Sequence, residues 1–466
     1  MATLVHTVKV IEQNRVAPPS GSVPETSLPL TFFDVFWVQP HAVRQIVFFE
    51  LSDSKTHLSS LKQSLSLALQ RFYPLAGTLR LSPLTGEHEI HYTDGDSVPL
   101  TIVESDSDFH ELVADHPIDT AEFHPLVAEL PTASGLISLQ FTIFPNSGFS
   151  IGLTVLHVVA DGSSAMQFMK YWASVCRLGH EASLMNSPLP LYDRSLIQDP
   201  KGLKRIFLDL ITMSTKREDQ KPRSVQAQSQ QQGHMVRATF VLTRANIEEL
   251  RQRVTMARAA HMEEGGEKKP IHVSSFVLTC AHVWVCLTKV RAVEADQTVH
   301  FGFAVDCRGR MRMGPPIPIS YFGNCITMCI VSAKGSDIAM GGDDDDDGFV
   351  AACEGISRVI QRLDDDDHDD GVLGGSDRWF RRLLSMMAAG EPLITVAGSS
   401  RLGVYDMDFG FGRPRKAELI SIEDTGAISL AESRDNAGRG IEVGLALPKH
   451  EMEQFTYYYD KGLKNH

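Results

Sequence analysis

No stretch of this 466-residue sequence approaches the roughly 18 consecutive apolar residues that a bilayer-spanning helix requires. The opening Met1-Ala2-Thr3-Leu4-Val5-His6 also has no charged segment followed by an apolar one, so no secretory leader is read there. Cysteine is scarce and odd in number. The seven thiols, at 176, 280, 286, 307, 325, 329 and 353, form no C-x-x-C and no Cys/His zinc spacing. Free thiols in a reducing, cytoplasmic compartment are the expectation. Basic excess is missing as well: 44 Lys and Arg stand against 58 Asp and Glu, a formal net charge of −14. A net-acidic chain without a basic stripe is repelled by nucleic-acid phosphates and by anionic lipid surfaces, which leaves small molecules as the natural partners. Sequence signatures are lacking too. There is no G-x-x-x-x-G-K-[ST], no G-x-S-x-G, no H-E-x-x-H, and no G-x-G-x-x-G after a strand. Phosphoryl transfer, serine hydrolysis, zinc proteolysis and dinucleotide binding therefore lose their support.

The acidity is concentrated. Eleven of the acids occupy two runs, Asp343 to Asp347 and Asp364 to Asp370, the latter interrupted by His368. These read as solvated loops, since a calcium loop needs spaced ligands and a turn glycine that the runs lack. A metal site built from them with His368 is a remote alternative, and no metal is expected. With 43% hydrophobic and 22% charged residues, the chain otherwise has the composition of a globular protein of two to three domains.

Periodicity supplies the elements. Strand patterns cover Val5 to Ile11, Val43 to Leu51, Glu87 to Tyr92, Leu136 to Phe144 and Phe149 to Leu156, the last as a buried run. Leu58, Leu61, Leu65 and Leu69 mark one face of a helix over Thr56 to Leu69, and Ser163 to Cys176 repeats that spacing. From Ser183 to His234 the sequence turns polar and Gln-rich, as in a crossover, with one helix over Leu203 to Met213. Beyond it, Val236 to Leu242 and Val299 to Val305 read as strands, and Ala245 to Ala259, Ser274 to Arg291 and Phe349 to Leu363 as helices. Alternation of this kind predicts an α/β fold, with an N-terminal domain at 1–185, a crossover at 186–235 and a C-terminal domain at 236–466.

Three segments could carry chemistry. His157-Val158-Val159-Ala160-Asp161-Gly162 follows a buried strand and precedes a helix, and a strand-to-loop edge is where functional groups are displayed. Histidine suits general-base work at neutral pH, and a nearby acid can fix its loop. The bare pattern fits equally well a core histidine followed by a capping aspartate, because eighteen His in an Asp-rich chain give about one H-x-x-x-D by chance. Asp408-Phe409-Gly410-Phe411-Gly412 has paired glycines that permit a tight turn beside aromatic faces. Cys307-Arg308-Gly309-Arg310-Met311 is followed by Pro315-Pro316-Ile317-Pro318 and Tyr321-Phe322-Gly323-Asn324-Cys325; its arginines read as a surface basic loop or as phosphate ligands.

In order and spacing these segments resemble those of the plant BAHD acyltransferases, which move an acyl group from a coenzyme A thioester to a hydroxyl or amine. The likeness spans the chain and includes Leu28-Pro29-Leu30-Thr31-Phe32-Phe33-Asp34, Phe72-Tyr73-Pro74-Leu75-Ala76-Gly77 and Thr425 to Asp435. Tyr321 to Cys325 and Cys280-Ala281-His282-Val283-Trp284 resemble the branch that acylates anthocyanins, flavonoids and other phenolic glucosides. The resemblance implies two similar chloramphenicol-acetyltransferase-like domains, each a mixed sheet flanked by helices, with a tunnel between them. It makes His157 the general base, and Asp161, Gly162 and Arg308 the structural support of the site, with Asp161 paired to Arg308 across the domains. Asp408 to Gly412 would shape the structure near the coenzyme A channel, with Phe411 where the family usually has Trp.

Acyl-CoA is then a co-substrate rather than a resident cofactor, and the partners are the donor and a phenolic glucoside, handled by a monomer. A malonyl donor carries a carboxylate and calls for a cation, for which Arg401, with Ser399 beside it, is the candidate contact; a hydroxycinnamoyl donor calls for an apolar slot. Malonyl is the favoured expectation. Hydroxycinnamoyl transfer to a glucoside or an amine, and a non-catalytic acyl-CoA-binding homologue, are the alternatives.

Overall fold

A computed structural model of the chain describes residues 7–39, 41–51, 58–132, 135–179, 188–218, 234–263, 271–310, 316–339, 347–364, 376–435 and 440–464. The residues fall into two compact units: Met1–Ile211 with Cys307–Ile326 and Arg401–Asp424, and Thr212–Asp306 with Thr327–Ser400 and Thr425–His466. The division expected at 1–185, 186–235 and 236–466 is contiguous, whereas these units are interleaved. Backbone pairing accounts for part of the difference: Lys416–Leu419 pairs antiparallel with Ala42–Glu50, which draws a late segment into the first unit.

The first unit is built on a six-stranded mixed sheet in the order Val8–Val16, Val98–Ser105, Ile137–Phe144, Gly148–Leu156, Ala42–Glu50, Lys416–Leu419. Only Val98–Ser105 and Ile137–Phe144 run parallel; the other neighbours are antiparallel. Ile137–Phe144 and Gly148–Leu156 are buried at every position, as near-continuous apolar runs are when both faces of a sheet are covered. On one face Leu61 and Trp172, from the helices Leu58–Arg71 and Gly162–Leu178, meet Leu100, Ile102 and Phe141 around a small apolar gap. The Trp172 indole N–H donates to Leu61 O and Ser64 Oγ, so the one polar atom of that ring is satisfied. On the other face Ile46, Phe48, Phe109, Phe123, Leu126, Phe144 and Ile420 form one core. A separate three-stranded sheet joins Thr26–Pro29, His88–Tyr92 and Thr78–Leu81.

In the second unit the strands run in the order Ile326–Lys334, Thr298–Asp306, Leu393–Gly398, Ile428–Glu432, Ile441–Pro448, Met235–Leu242, again with parallel and antiparallel neighbours. Its central helix, Ser275–Val290, is apolar nearly all round and accordingly buried, and the Ser274 hydroxyl caps it by accepting from Val277 N. The Asp-rich runs lie outside the described residues except for Asp347 and Asp364, which are the ends of the helix Asp347–Asp364; His368 also lies outside. Among the described residues no helix is long and apolar enough to cross a membrane, and no group of three or more His, Cys, Asp or Glu is placed to hold a metal ion.

Candidate active site

His157, Asp161, Arg308, Asn324, Asp34 and Trp37 all belong to the first unit. His157 directly follows the strand Gly148–Leu156, and its backbone N–H donates to His41 O, one step beyond the last pair of the neighbouring strand. The chain then turns through Val158 to Ala160 and enters the helix Gly162–Leu178. Asp161 is the N-cap of that helix, its Oδ1 accepting from Ser164 N at 2.9 Å. The same carboxylate forms a bidentate pair with Arg308, at 2.9 Å from Nη1 and 3.2 Å from Nη2, and accepts from Cys325 N at 3.0 Å. The capping reading and the ion-pair reading of Asp161 thus describe one carboxylate.

Both partners are sealed from solvent, so neither charge is tolerable without the other. Arg308 fills its remaining donors with Tyr321 O, Ser164 Oγ and Gly323 O, all between 3.0 and 3.1 Å. It lies in the first unit with Asp161, not in a separate C-terminal domain. Gly162 opens the helix; a Cβ there would meet only Leu402 at 3.4 Å, so space does not demand glycine. Gly323 is different: its φ is +143°, and a Cβ there would run into the Arg194 guanidinium.

The decisive neighbour of His157 is Asn324, whose place in Tyr321 to Cys325 carries no sign of this role in the sequence. Its Oδ1 lies 3.1 Å from His157 Nδ1. The amide orientation is fixed from the other side, because Nδ2 donates to Asp34 Oδ1 at 3.0 Å, His157 O at 2.9 Å and Val158 O at 3.2 Å. With Oδ1 an acceptor, Nδ1 must carry the hydrogen, and the lone pair of the neutral ring is on Nε2. Nε2 makes no hydrogen bond among the described residues, and the side chain is half-buried rather than sealed.

Asp34, wholly buried, accepts from Thr31 N, Thr31 Oγ, Asn324 N and Asn324 Nδ2 at 2.8 to 3.1 Å, and so ties the N-terminal segment to the Asn324 loop. Trp37, three residues on, stacks on the His157 ring with centroids 3.6 Å apart and planes 14° from parallel. Asp34 and Asn324 both lay within segments that suggested the family; Trp37 had no local signal. Burial pushes the His157 imidazole down from 6.5 to about 4, opposed by its own carbonyl, by the Asp161 charge and by Asn324. The ring is therefore neutral at physiological pH, the form a base requires.

The Asp408 to Gly412 turn is elsewhere. Asp408 Oδ1 accepts from Gly410 N and Gly412 N, and both glycines have φ near +96°, where L side chains are strained. Phe409 is buried edge-on against Trp172 and Phe49, and Phe411 is edge-on to Phe149. Phe149 is the second residue of the strand that His157 follows, so about eight residues, roughly 26 Å at 3.3 Å per residue, separate the turn from the imidazole. Arg401 is exposed in the bend after the strand Leu393–Gly398, and Ser399 is half-buried there.

A family model described as the transferase family matches residues 6–460. The chain belongs to the BAHD acyltransferases. It is 36% identical to phenolic glucoside malonyltransferase 1 of Arabidopsis thaliana over 98% of each chain. It is 34% identical to an Arabidopsis thaliana coumaroyl-CoA:anthocyanidin 3-O-glucoside-6''-O-coumaroyltransferase over 98% of this chain and 97% of the other. Among solved structures, vinorine synthase superposes with a TM-score of 0.67 at 19% identity, covering 96% of each chain, a likeness of fold. Membership of this family makes the enzyme an acyl-CoA-dependent O-acyltransferase, the reaction class that the motifs suggested.

Proposed function

We propose that this BAHD enzyme transfers an acyl group, malonyl in preference to hydroxycinnamoyl, from its coenzyme A thioester to a sugar hydroxyl of a phenolic glucoside such as a flavonoid or anthocyanin. The observation that carries the reading is the imidazole of His157, with Nδ1 held by Asn324 and Nε2 left open, in a chain this similar along its length to a phenolic glucoside malonyltransferase.

A sugar hydroxyl is a poor nucleophile at neutral pH. Nε2 of His157 removes its proton as the oxygen bonds to the thioester carbonyl carbon, and the ring becomes imidazolium, hydrogen-bonded to Asn324 and near Asp161. The tetrahedral intermediate then collapses with cleavage of the C–S bond, and the departing thiolate takes the proton back from Nε2. Base and acid are one residue, and no acyl-enzyme forms. Asp161 and Arg308 hold the loop that carries His157, and the Asp408 to Gly412 turn braces the far end of its strand. None of the seven cysteines is in a disulfide, which supports a cytoplasmic setting.

Malonyl-CoA and p-coumaroyl-CoA, each offered to flavonoid glucosides, simple phenolic glucosides and agmatine, test the reading by mass spectrometry of the products. A malonyl mass increment on a glucoside that disappears in His157→Ala is the expected result. A coumaroyl increment alone reassigns the donor, and a product that persists undiminished in His157→Ala removes the base assignment.

A further inference from the structure

The site contains one large side chain with no part in the proton transfer just described. Trp37 covers a face of the His157 imidazole at 3.6 Å and 14°, close to parallel contact of the two π-systems. It is itself braced by Phe36, edge-on at 4.6 Å, and its backbone N–H donates to Asp34 O at 2.9 Å. Through the Asp34 carboxylate the segment bearing Trp37 is bonded to Asn324, the residue that grips the edge of the same imidazole. One buried aspartate thus joins a clamp on the face of the ring to a clamp on its edge.

Two consequences follow from elementary chemistry. A ring held at one edge by a single hydrogen bond can still rotate about its χ angles, whereas a ring also stacked on an indole keeps its plane, so the Nε2 lone pair keeps its direction. The indole face is also the best aromatic partner for a cation, and the imidazole is a cation only after it has accepted the substrate proton. An interaction that strengthens as the proton moves lowers the barrier without tightening ground-state binding.

We propose that Trp37 is a positioning residue for the general base: its stack fixes the plane of His157 and favours the imidazolium formed during transfer. The inference rests on the His157 base reading above. Its loss therefore falls on kcat, by roughly 10- to 30-fold for a desolvated cation–π contact, and leaves KM for acyl-CoA and acceptor within about threefold.

The test pairs kinetics with histidine-selective NMR of the full chain, for wild type, Trp37→Phe, Trp37→Leu and His157→Gln. The signals lost in His157→Gln identify the His157 ring. In wild type they should carry a large upfield ring-current shift and the nitrogen pattern of an Nδ1–H tautomer. Trp37→Phe, which keeps a stacking face, should retain the shift and most of kcat. Trp37→Leu, which keeps bulk only, should lose both with little change in KM. Absence of the upfield shift in wild type overturns the stack, and a Trp37→Leu enzyme that loses the shift but keeps kcat within twofold overturns its role. A folded wild type that turns over none of the offered pairs overturns the functional reading and the role together; the other two outcomes remove Trp37 alone.

Discussion

His157 and His282, one in each unit, are both pushed by burial from 6.5 to about 4, yet the strongest charged neighbour of each acts in the opposite direction. Around His157 the largest charge effect on the ring is that of the Asp161 carboxylate, which favours a proton against a smaller opposing effect of His41, and Nε2 is left open. His282 sits deep in the helix Ser275–Val290 beside the Arg253 guanidinium, which disfavours a proton further. The Tyr459 ring lies 4.9 Å away, Gly462 closes against Cε1, and Nε2 is buried with no hydrogen-bond partner among the described residues. A depressed acidity is common to both and marks neither as a base. What separates them is whether the surroundings tolerate the protonated ring and whether the free nitrogen can be reached. By that criterion His157 fits the proton transfer proposed for it, and His282 fits packing.

The largest expected effect separates the two directly. His157→Ala should lower kcat/KM by about 10²- to 10⁴-fold while circular dichroism and Tm stay near wild type. His282→Leu should leave kcat/KM within about threefold and shift only Tm. Equal loss of activity in both variants, with both folded, would dissolve the distinction.

Next in size is the support of the His157 loop. Asp161→Asn or Arg308→Met leaves a buried charge unpaired and should cost about 3–5 kcal/mol in denaturant unfolding. The double change Asp161→Leu with Arg308→Met should recover part of that loss, since no charge is then stranded.

Acidity sharpens the comparison further. Each ring binds its proton less readily folded than unfolded, so stability is complete above pH 6.5 and falls as the pH drops toward 4, by about 3 kcal/mol per histidine. Replacing either by Gln should flatten that slope in unfolding experiments. Only His157 should appear in catalysis, with the acid limb of kcat/KM near pH 4. Asn324→Asp puts a carboxylate on Nδ1 and should move that limb up by roughly one unit or more.

The smallest effect belongs to the aromatic turn. Phe411 is half-buried and edge-on to Phe149, about 26 Å along the strand from His157, so Phe411→Trp should change kcat/KM by no more than about threefold. Gly410→Ala, forced into a left-handed backbone, should cost about 1–2 kcal/mol of stability.

Elements whose neighbours in sequence are their neighbours in space were legible. The helix expected over Ser163 to Cys176 is Gly162–Leu178, and the buried strand expected over Phe149 to Leu156 is Gly148–Leu156. The strand Val98–Ser105 escaped because Pro99 interrupts it, and proline normally marks an edge or a break. It is instead central in its sheet, with Pro99 tolerated as the second residue, opposite Arg15. Sequence order suggests contiguous domains and so places Arg308 in the second, whereas its segment packs in the first unit.

A loop carrying His157 between a buried strand and a helix, the acid that caps that helix, and the family whose motifs surround them are all readable along the chain. All of this is written in residues a few positions apart, within reach of local periodicity and capping. Folding brings Asn324, 167 residues away, to fix the tautomer, pairs Asp161 with Arg308, 147 residues away, and lays Trp37 over the ring. Such contacts depend on which strands pair and where late segments return, and no local pattern encodes that distance.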